Sequence, residues 1–215
     1  MRKIASPTVH VSGIDYFEAT SDNFEFKLPA NIKSQVICID PGHGGDRDNG
    51  AAWGYSHEDD VNLAISFYLR YELMLAGFNN IIMTRKSDRH VSLRHRCEIA
   101  RHYKADIFLS IHCDAFHNTT VSGMGTYIHT EATGDSFTLS NFINQEMEKS
   151  FPVHKHRGTK HANFYVLRKN RKRTAALIEC EFLSNPDTRA FLRESENQVK
   201  IAQSIKNAVN RFIKI

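Results

Sequence analysis

An α/β fold is predicted: a single domain with a mostly parallel or mixed sheet of about six strands and helices on both faces. Three observations predict it. Short apolar runs alternate with segments of helical period, as strand–helix units of such a sheet do. The run QVICID (35–40) is almost wholly apolar, as expected of a strand buried on both faces. The chain of 215 residues is long enough for one sizeable core and short for two.

The elements follow in order. Residues 1–34 alternate weakly (TVHV, FEFKL) and form a β-type appendage, leaving 35–215 as the main domain. After QVICID, Ser56 and Asp59 resemble a capping box, and Val61, Ala64, Ile65, Tyr68, Leu69 and Leu75 recur at helical spacing until Gly77. NIIMTR (80–85) predicts a strand, VSLRHRCEIARHY (91–103) a helix and DIFLSIH (106–112) a third strand. GTYIHT, NFYVLR and TAALIEC supply three more strands, and helices are expected at 136–150 and 196–213.

Composition excludes several classes. The apolar fraction is 41%, the charged fraction 24% and the net charge +4, a mild bias toward anionic partners and no nucleic-acid signature. No stretch approaches the ~20 apolar residues of a membrane helix. The start, MRKIASPTVHVSG, has basic residues but no apolar core of a secretory signal, so synthesis in the cytoplasm without a signal peptide is the expectation. Cys38, Cys97, Cys113 and Cys180 show no CxxC spacing; Cys38, Cys113 and Cys180 sit in apolar runs and read as buried thiols. Cys113 stands beside His112, but adjacent strand residues face opposite ways, which turns its thiol to the core.

Chemistry gathers at strand ends. His43 follows the first strand inside IDPGHGG (39–45), His112 ends the third, and Glu179 ends the last apolar run. Open α/β sheets place their sites at the carboxyl ends of their strands. Glu58 opens the helix entered from the loop after His43, with His57 next door as a competing ligand. Two imidazoles and a carboxylate make a three-ligand zinc site with its fourth position open. A further carboxylate then serves as general base toward water.

The motifs IDPGHGG, HEDDVNLAI, TRKSD (84–88), LSIHCDA (109–115), RGTKHANFYVLR (157–168) and ALIECEFLSNP (176–186) fall in one order. In that order and spacing they resemble the zinc-dependent N-acetylmuramoyl-L-alanine amidases of the amidase-3 type, over roughly residues 35–213. The resemblance implies His43, Glu58 and His112 as ligands of Zn2+ and Glu179 as the catalytic carboxylate. It implies hydrolysis of the amide between the lactyl group of muramic acid and L-alanine in peptidoglycan. It also implies a structural place for TRKSD. The glycines around His43 then clear space for the metal, its water and a wall fragment.

Where the family usually has glycine, this chain has Glu181. Residues i and i+2 of a strand share a face, so Glu181 either joins Glu179 as a modulator or lies beyond a strand that ends at Cys180 and turns to solvent. His117 and His161 lie near the motifs as candidate substrate contacts; the other histidines, His154 among them, read as solvated or as outer supports of the site. RKNRKR (168–173) reads as a solvated loop, with attraction to the anionic wall or its polymers as the functional alternative.

The expected partner is peptidoglycan, with no nucleic acid and no membrane insertion, and the chain is expected to be a monomer. With no wall-binding repeat, it suits an endolysin-like lysis enzyme, reaching the wall by release or non-classical export. The competing functions are a related zinc hydrolase of another acylated peptide and a catalytically inactive wall-binding module.

Overall fold

The computed structural model describes residues 10–11, 14–15, 33–54 and 56–214. Two short strands, β1 (His10–Val11) and β2 (Ile14–Asp15), pair antiparallel. Of the rest of the expected 1–34 appendage, residues 33 and 34 begin the strand β3 (Lys33–Pro41), and the others lie outside the described residues. A six-stranded mixed sheet is the frame of the described residues that follow. Its strands are β3 (Lys33–Pro41), β6 (Phe78–Met83), β7 (Ile107–Asp114), β8 (Met124–Ile128), β9 (His156–His161) and β10 (Thr174–Phe182). In space they run β6-β3-β7-β10-β8-β9. The first four are parallel, β8 is antiparallel to β10, and β9 is parallel to β8.

Strand alternation divides the core in two. Ile37 and Ile39 of β3, Ile107, Leu109 and Ile111 of β7 and Ile178 of β10 face one side. There they meet α1 (Glu58–Leu75), α3 (Gly134–Ser150) and α6 (Ser195–Phe212), through residues such as Leu69, Ile143 and Ile205. Cys38, Phe108, Ala175 and Leu177 face the other side. They pack on Ala100 of α2 (Leu93–His102) and on Val166 and Leu167 of α4 (Tyr165–Asn170). Strands covered on both faces read as continuous apolar runs, which is why β3, β7 and β10 stand out in the sequence.

Four local expectations change. Ser56 does not cap α1: it pairs with Trp53 in a hairpin of β4 (Ala52–Trp53) and β5 (Ser56–His57), which moves the cap position to His57. NFYVLR is the start of the short helix α4, not a strand. Its apolar residues fit both periods, and Arg168 N–H donates to Phe164 O at 2.8 Å. β9, sequence HRGTKH, is a polar edge strand with no apolar signal. Pro186–Arg193 forms an unexpected helix, α5, capped by the Asn185 side chain with Pro186 in the first turn. Elsewhere the expected helices match within about two residues. Among the described residues no helix is long and apolar enough to cross a membrane.

Candidate metal centre

Each site residue is delivered by the end of an element. β3, β7 and β10 are adjacent and parallel, with Asp40 opposite Ser110 and His112 opposite Glu179. Their carboxyl ends therefore form one rim. On β3 the chain leaves as Pro41–Gly42–His43, and His43 adopts φ 57°, a left-handed conformation that a side chain rarely takes.

Two buried guanidinium groups hold that turn. Arg96 donates to Pro41 O at 2.6 Å, to His43 O at 2.6 Å and to the Asp40 carboxylate at 2.9 Å. Arg85 donates to Pro41 O at 3.1 Å, Gly42 O at 2.9 Å and Asp59 O at 2.7 Å. Asp40 is completed by the hydroxyls of Thr84 (2.6 Å) and Ser110 (2.8 Å). Every carbonyl of the turn thus has a charged donor, and the strain at His43 is held by the residues around it.

His43, Glu58 and His112 converge. One donor atom from each lies within 4.8 Å of the others, a group that could hold a metal ion. Glu58 Oε1 is 3.3 Å from His43 Nε2 and 3.0 Å from His112 Nδ1. A tetrahedral ion with ligands at about 2.1 Å holds its donors about 3.4 Å apart, so the set fits a zinc-like ion with little movement. Outer partners fix the donors: Asp48 Oδ1 holds His43 Nδ1 at 2.6 Å, and Ala51 N–H donates to Glu58 Oε2 at 2.9 Å. Burial opposes charge on His43, but the hydrogen bonds and charges of Glu58 and Asp48 outweigh it and lift its pKa to about 9. Burial likewise opposes the Glu58 carboxylate; its bonds to His112 and His43 prevail and hold it below the usual carboxylate range. Two imidazoles and one carboxylate sharing a point are a donor set that suits an ion of charge two.

The glycines divide their work differently from the sequence expectation. A side chain at Gly42 would overlap the His112 ring, and one at Gly50 would stand 2.5 Å from Glu58 Oε2 and 2.7 Å from His43. These two clear the ligands. Gly44 and Gly45, with φ of 126° and 80°, lie against the backbone of Arg89 and His90 and serve the turn.

Glu179 is buried, and its Oε2 has no hydrogen-bond partner. Burial, then the charges of Asp114 and Glu58, push its pKa well above the usual carboxylate range. Arg157 counters this. Its side chain leaves the edge strand β9, crosses β8 over Gly123 and Gly125, stacks on Phe182 at 4.6 Å and binds Asp114 at 2.9 Å. A side chain at Gly125 would stand 3.2 Å from Arg157 Cβ, which explains glycine there.

Glu181 takes a different course. The register slips after Glu179, so that Phe182 and not Glu181 comes opposite Asp114. The i, i+2 reading assumes unbroken alternation, and this bulge breaks it. Nor does the strand end at Cys180. Glu181 is fully buried and accepts hydrogen bonds from Gly123 N–H (2.7 Å) and Phe182 N–H (2.9 Å). His154 Nδ1 approaches its other oxygen at 3.1 Å, with the ring packed 4.3 Å from that of Phe191.

Of the remaining sequence candidates, Cys38, Cys113 and Cys180 are buried free thiols, and burial pushes the Cys113 thiol well up. Its backbone N–H, not its sulfur, serves the site, donating to Glu58 at 3.2 Å. His57 precedes Glu58 and stands outside the metal-binding group, while His161 lies exposed at the end of β9. His117 is exposed and stacks on Phe116 at 4.0 Å. Asp48, Asp40, Asp114 and Arg157 were missed as site residues. Only Asp48 carried a signal, as a carboxylate five residues beyond His43 in the same loop.

Comparison with known proteins places this geometry. Residues 37–211 match the Amidase_3 family, described as N-acetylmuramoyl-L-alanine amidase. A germination-specific N-acetylmuramoyl-L-alanine amidase of Bacillus subtilis is 30% identical over 195 residues, covering 84% of this chain and 81% of the relative. The N-acetylmuramoyl-L-alanine amidase AmiC2 of Nostoc punctiforme superposes with a TM-score of 0.79 at 29% identity, covering 86% of this chain and 100% of that one. An N-acetylmuramoyl-L-alanine amidase of Clostridium difficile 630 gives a TM-score of 0.78 at 30% identity, covering 84% and 97%.

Proposed function

The chain belongs to the N-acetylmuramoyl-L-alanine amidase family, and from that premise we propose how it cuts its bond: zinc held by His43, Glu58 and His112, with Glu179 as general base. The reaction is hydrolysis of the amide joining N-acetylmuramic acid to L-alanine in peptidoglycan, and the cell wall is its place of work. One observation carries the residue roles. Two imidazoles and a buried carboxylate meet at one point, and a second buried carboxylate with an unpartnered oxygen sits across the ladder from His112.

The donor set suits zinc, which supplies Lewis acidity toward the amide carbonyl and acidifies water. The chain's own residues do the rest. Asp48 keeps His43 oriented through Nδ1 and leaves Nε2 for the ion. Glu179 takes the proton of the attacking water at its free Oε2 and returns it to the alanine nitrogen as the C–N bond breaks. Burial makes Glu179 a stronger base than a solvated carboxylate, and Arg157, through Asp114, keeps the accumulated negative charge at this rim in balance.

The test is to digest purified peptidoglycan with and without a chelator, then restore activity with zinc. New N-terminal alanine that vanishes on chelation and returns with zinc supports the reading. New reducing sugars or internal peptide ends contradict it. The same data separate the alternatives, since an inactive binder releases nothing.

A further inference from the structure

The amidase chemistry leaves one built feature unused. Between α2 and α4 lies a cavity of about 360 Å³. From α2 it is lined by Arg94, Cys97, Glu98 and Arg101, spaced three or four residues apart so that they share one helical stripe. Tyr165 and Lys169 of α4 face them, one turn apart, and Arg173 closes the far end. Four cationic side chains therefore meet one carboxylate, Glu98, which Arg94 already binds at 2.7 Å. The whole chain carries a net charge of only +4, so much of its excess is concentrated here.

Two of the lining cations, Arg173 and Lys169, are held in place. Arg173 Nη1 donates to the carbonyls of Ala100 (3.1 Å) and Ala105 (2.7 Å), which fix its arm without a carboxylate to neutralise it. Arg168 and Lys169 lie 5.4 and 5.7 Å from the centre of the Tyr165 ring, a cation–π shelf at the cavity's edge. The basic run RKNRKR, which the sequence left as loop or wall contact, is the end of α4 and the turn that lines this cleft.

Its position separates it from catalysis. Arg173 immediately precedes β10, whereas Glu179 lies six residues further along it, roughly 20 Å away at strand rise. We propose that the cleft between α2 and α4 is a docking site for a polyanion of the phosphodiester kind carried by the wall. Three of the four cations are arginines, whose forked donors match phosphate oxygens. Arg94 and Arg101 stand two turns apart, about 10 Å, which suits charges recurring along a chain and not a single anion. The concave shape takes an inserted anionic group in preference to a flat bilayer. The polymer's attachment to the wall rests on the amidase reading; the charge complementarity does not.

The experiment compares the full chain with Arg101→Glu/Lys169→Glu. Three substrates are used: walls bearing their phosphodiester polymers, the same walls stripped of phosphate, and a soluble muramoyl-peptide. On intact walls the variant should bind roughly tenfold more weakly, and the wild-type advantage should fade with added salt. On stripped walls the two should bind alike, and on the soluble substrate they should turn over equally, which also certifies folding. Arg101→Gln/Lys169→Gln should fall between them. Equal binding to intact walls, or a difference that persists on stripped walls, overturns the proposal. So does tighter wild-type binding to anionic phospholipid vesicles than to intact walls, which would make the partner a membrane. Failure of the amidase reading shows separately, as no hydrolysis of the soluble substrate by either protein.

Discussion

Two carboxylates stand two residues apart on β10 and live in opposite circumstances. Glu179 is buried with one oxygen unpartnered, among the charges of Asp114, Glu58, Arg157 and His43. Glu181 is buried with both oxygens engaged, by two backbone N–H groups and by His154. One residue of bulge separates them. The difference teaches that two carboxylates of one strand can be set apart by their partners: Glu179 keeps one buried oxygen open to water or substrate, while Glu181 is engaged by two backbone N–H groups and a histidine.

The largest expected effect lies on the rim. His112→Ala should lose the bound metal and lower turnover by more than about a hundredfold, since even outer partners of metal ligands cost 10–100-fold. Metal content and turnover measured on one preparation check this. Glu181→Gln, by contrast, should keep its metal and most of its turnover. If Glu181→Gln were as inactive as His112→Ala, the frame role assigned to Glu181 would be lost.

Stability should respond in the reverse order. Glu181→Ala leaves the N–H groups of Gly123 and Phe182 buried without acceptors, at about 1–3 kcal/mol each. A stability loss below about 0.3 kcal/mol in a denaturant titration would contradict this supporting role of Glu181. His154→Ala removes one donor and a ring packed on Phe191, for about 1–2 kcal/mol in the same titration. The smallest effect belongs to Gly125→Ala, whose new methyl presses Arg157 Cβ at 3.2 Å and costs about 1 kcal/mol. Because Arg157 reaches Asp114 beside Glu179, turnover should drop a little as well, whereas His154→Ala should spare it.

What the sequence reveals about this molecule follows from burial. β3, β7 and β10 are covered on both faces and announce themselves as apolar runs, so the strand ends bearing His43, His112 and Glu179 are legible. β9 is a polar edge and α4 an apolar stretch too short for its period to show. The supports of the site were hidden for a further reason. Arg96 reads as one basic residue of an amphipathic helix until the fold folds it inward onto Pro41 and His43. Arg157 reaches the site only by crossing a strand distant in sequence. Glu181 was misplaced because period-two reasoning holds only until a bulge, and nothing in CEF announces one.

The central claim is that Glu179 moves the proton while His43, Glu58 and His112 hold the ion. It is tested most directly by Glu179→Gln and the wild type, each loaded with zinc and assayed for new N-terminal alanine from purified peptidoglycan. The account predicts equal metal content in both proteins and a loss of about a hundredfold to ten-thousandfold in alanine release by the variant. Release at the wild-type rate by a fully loaded Glu179→Gln would contradict it.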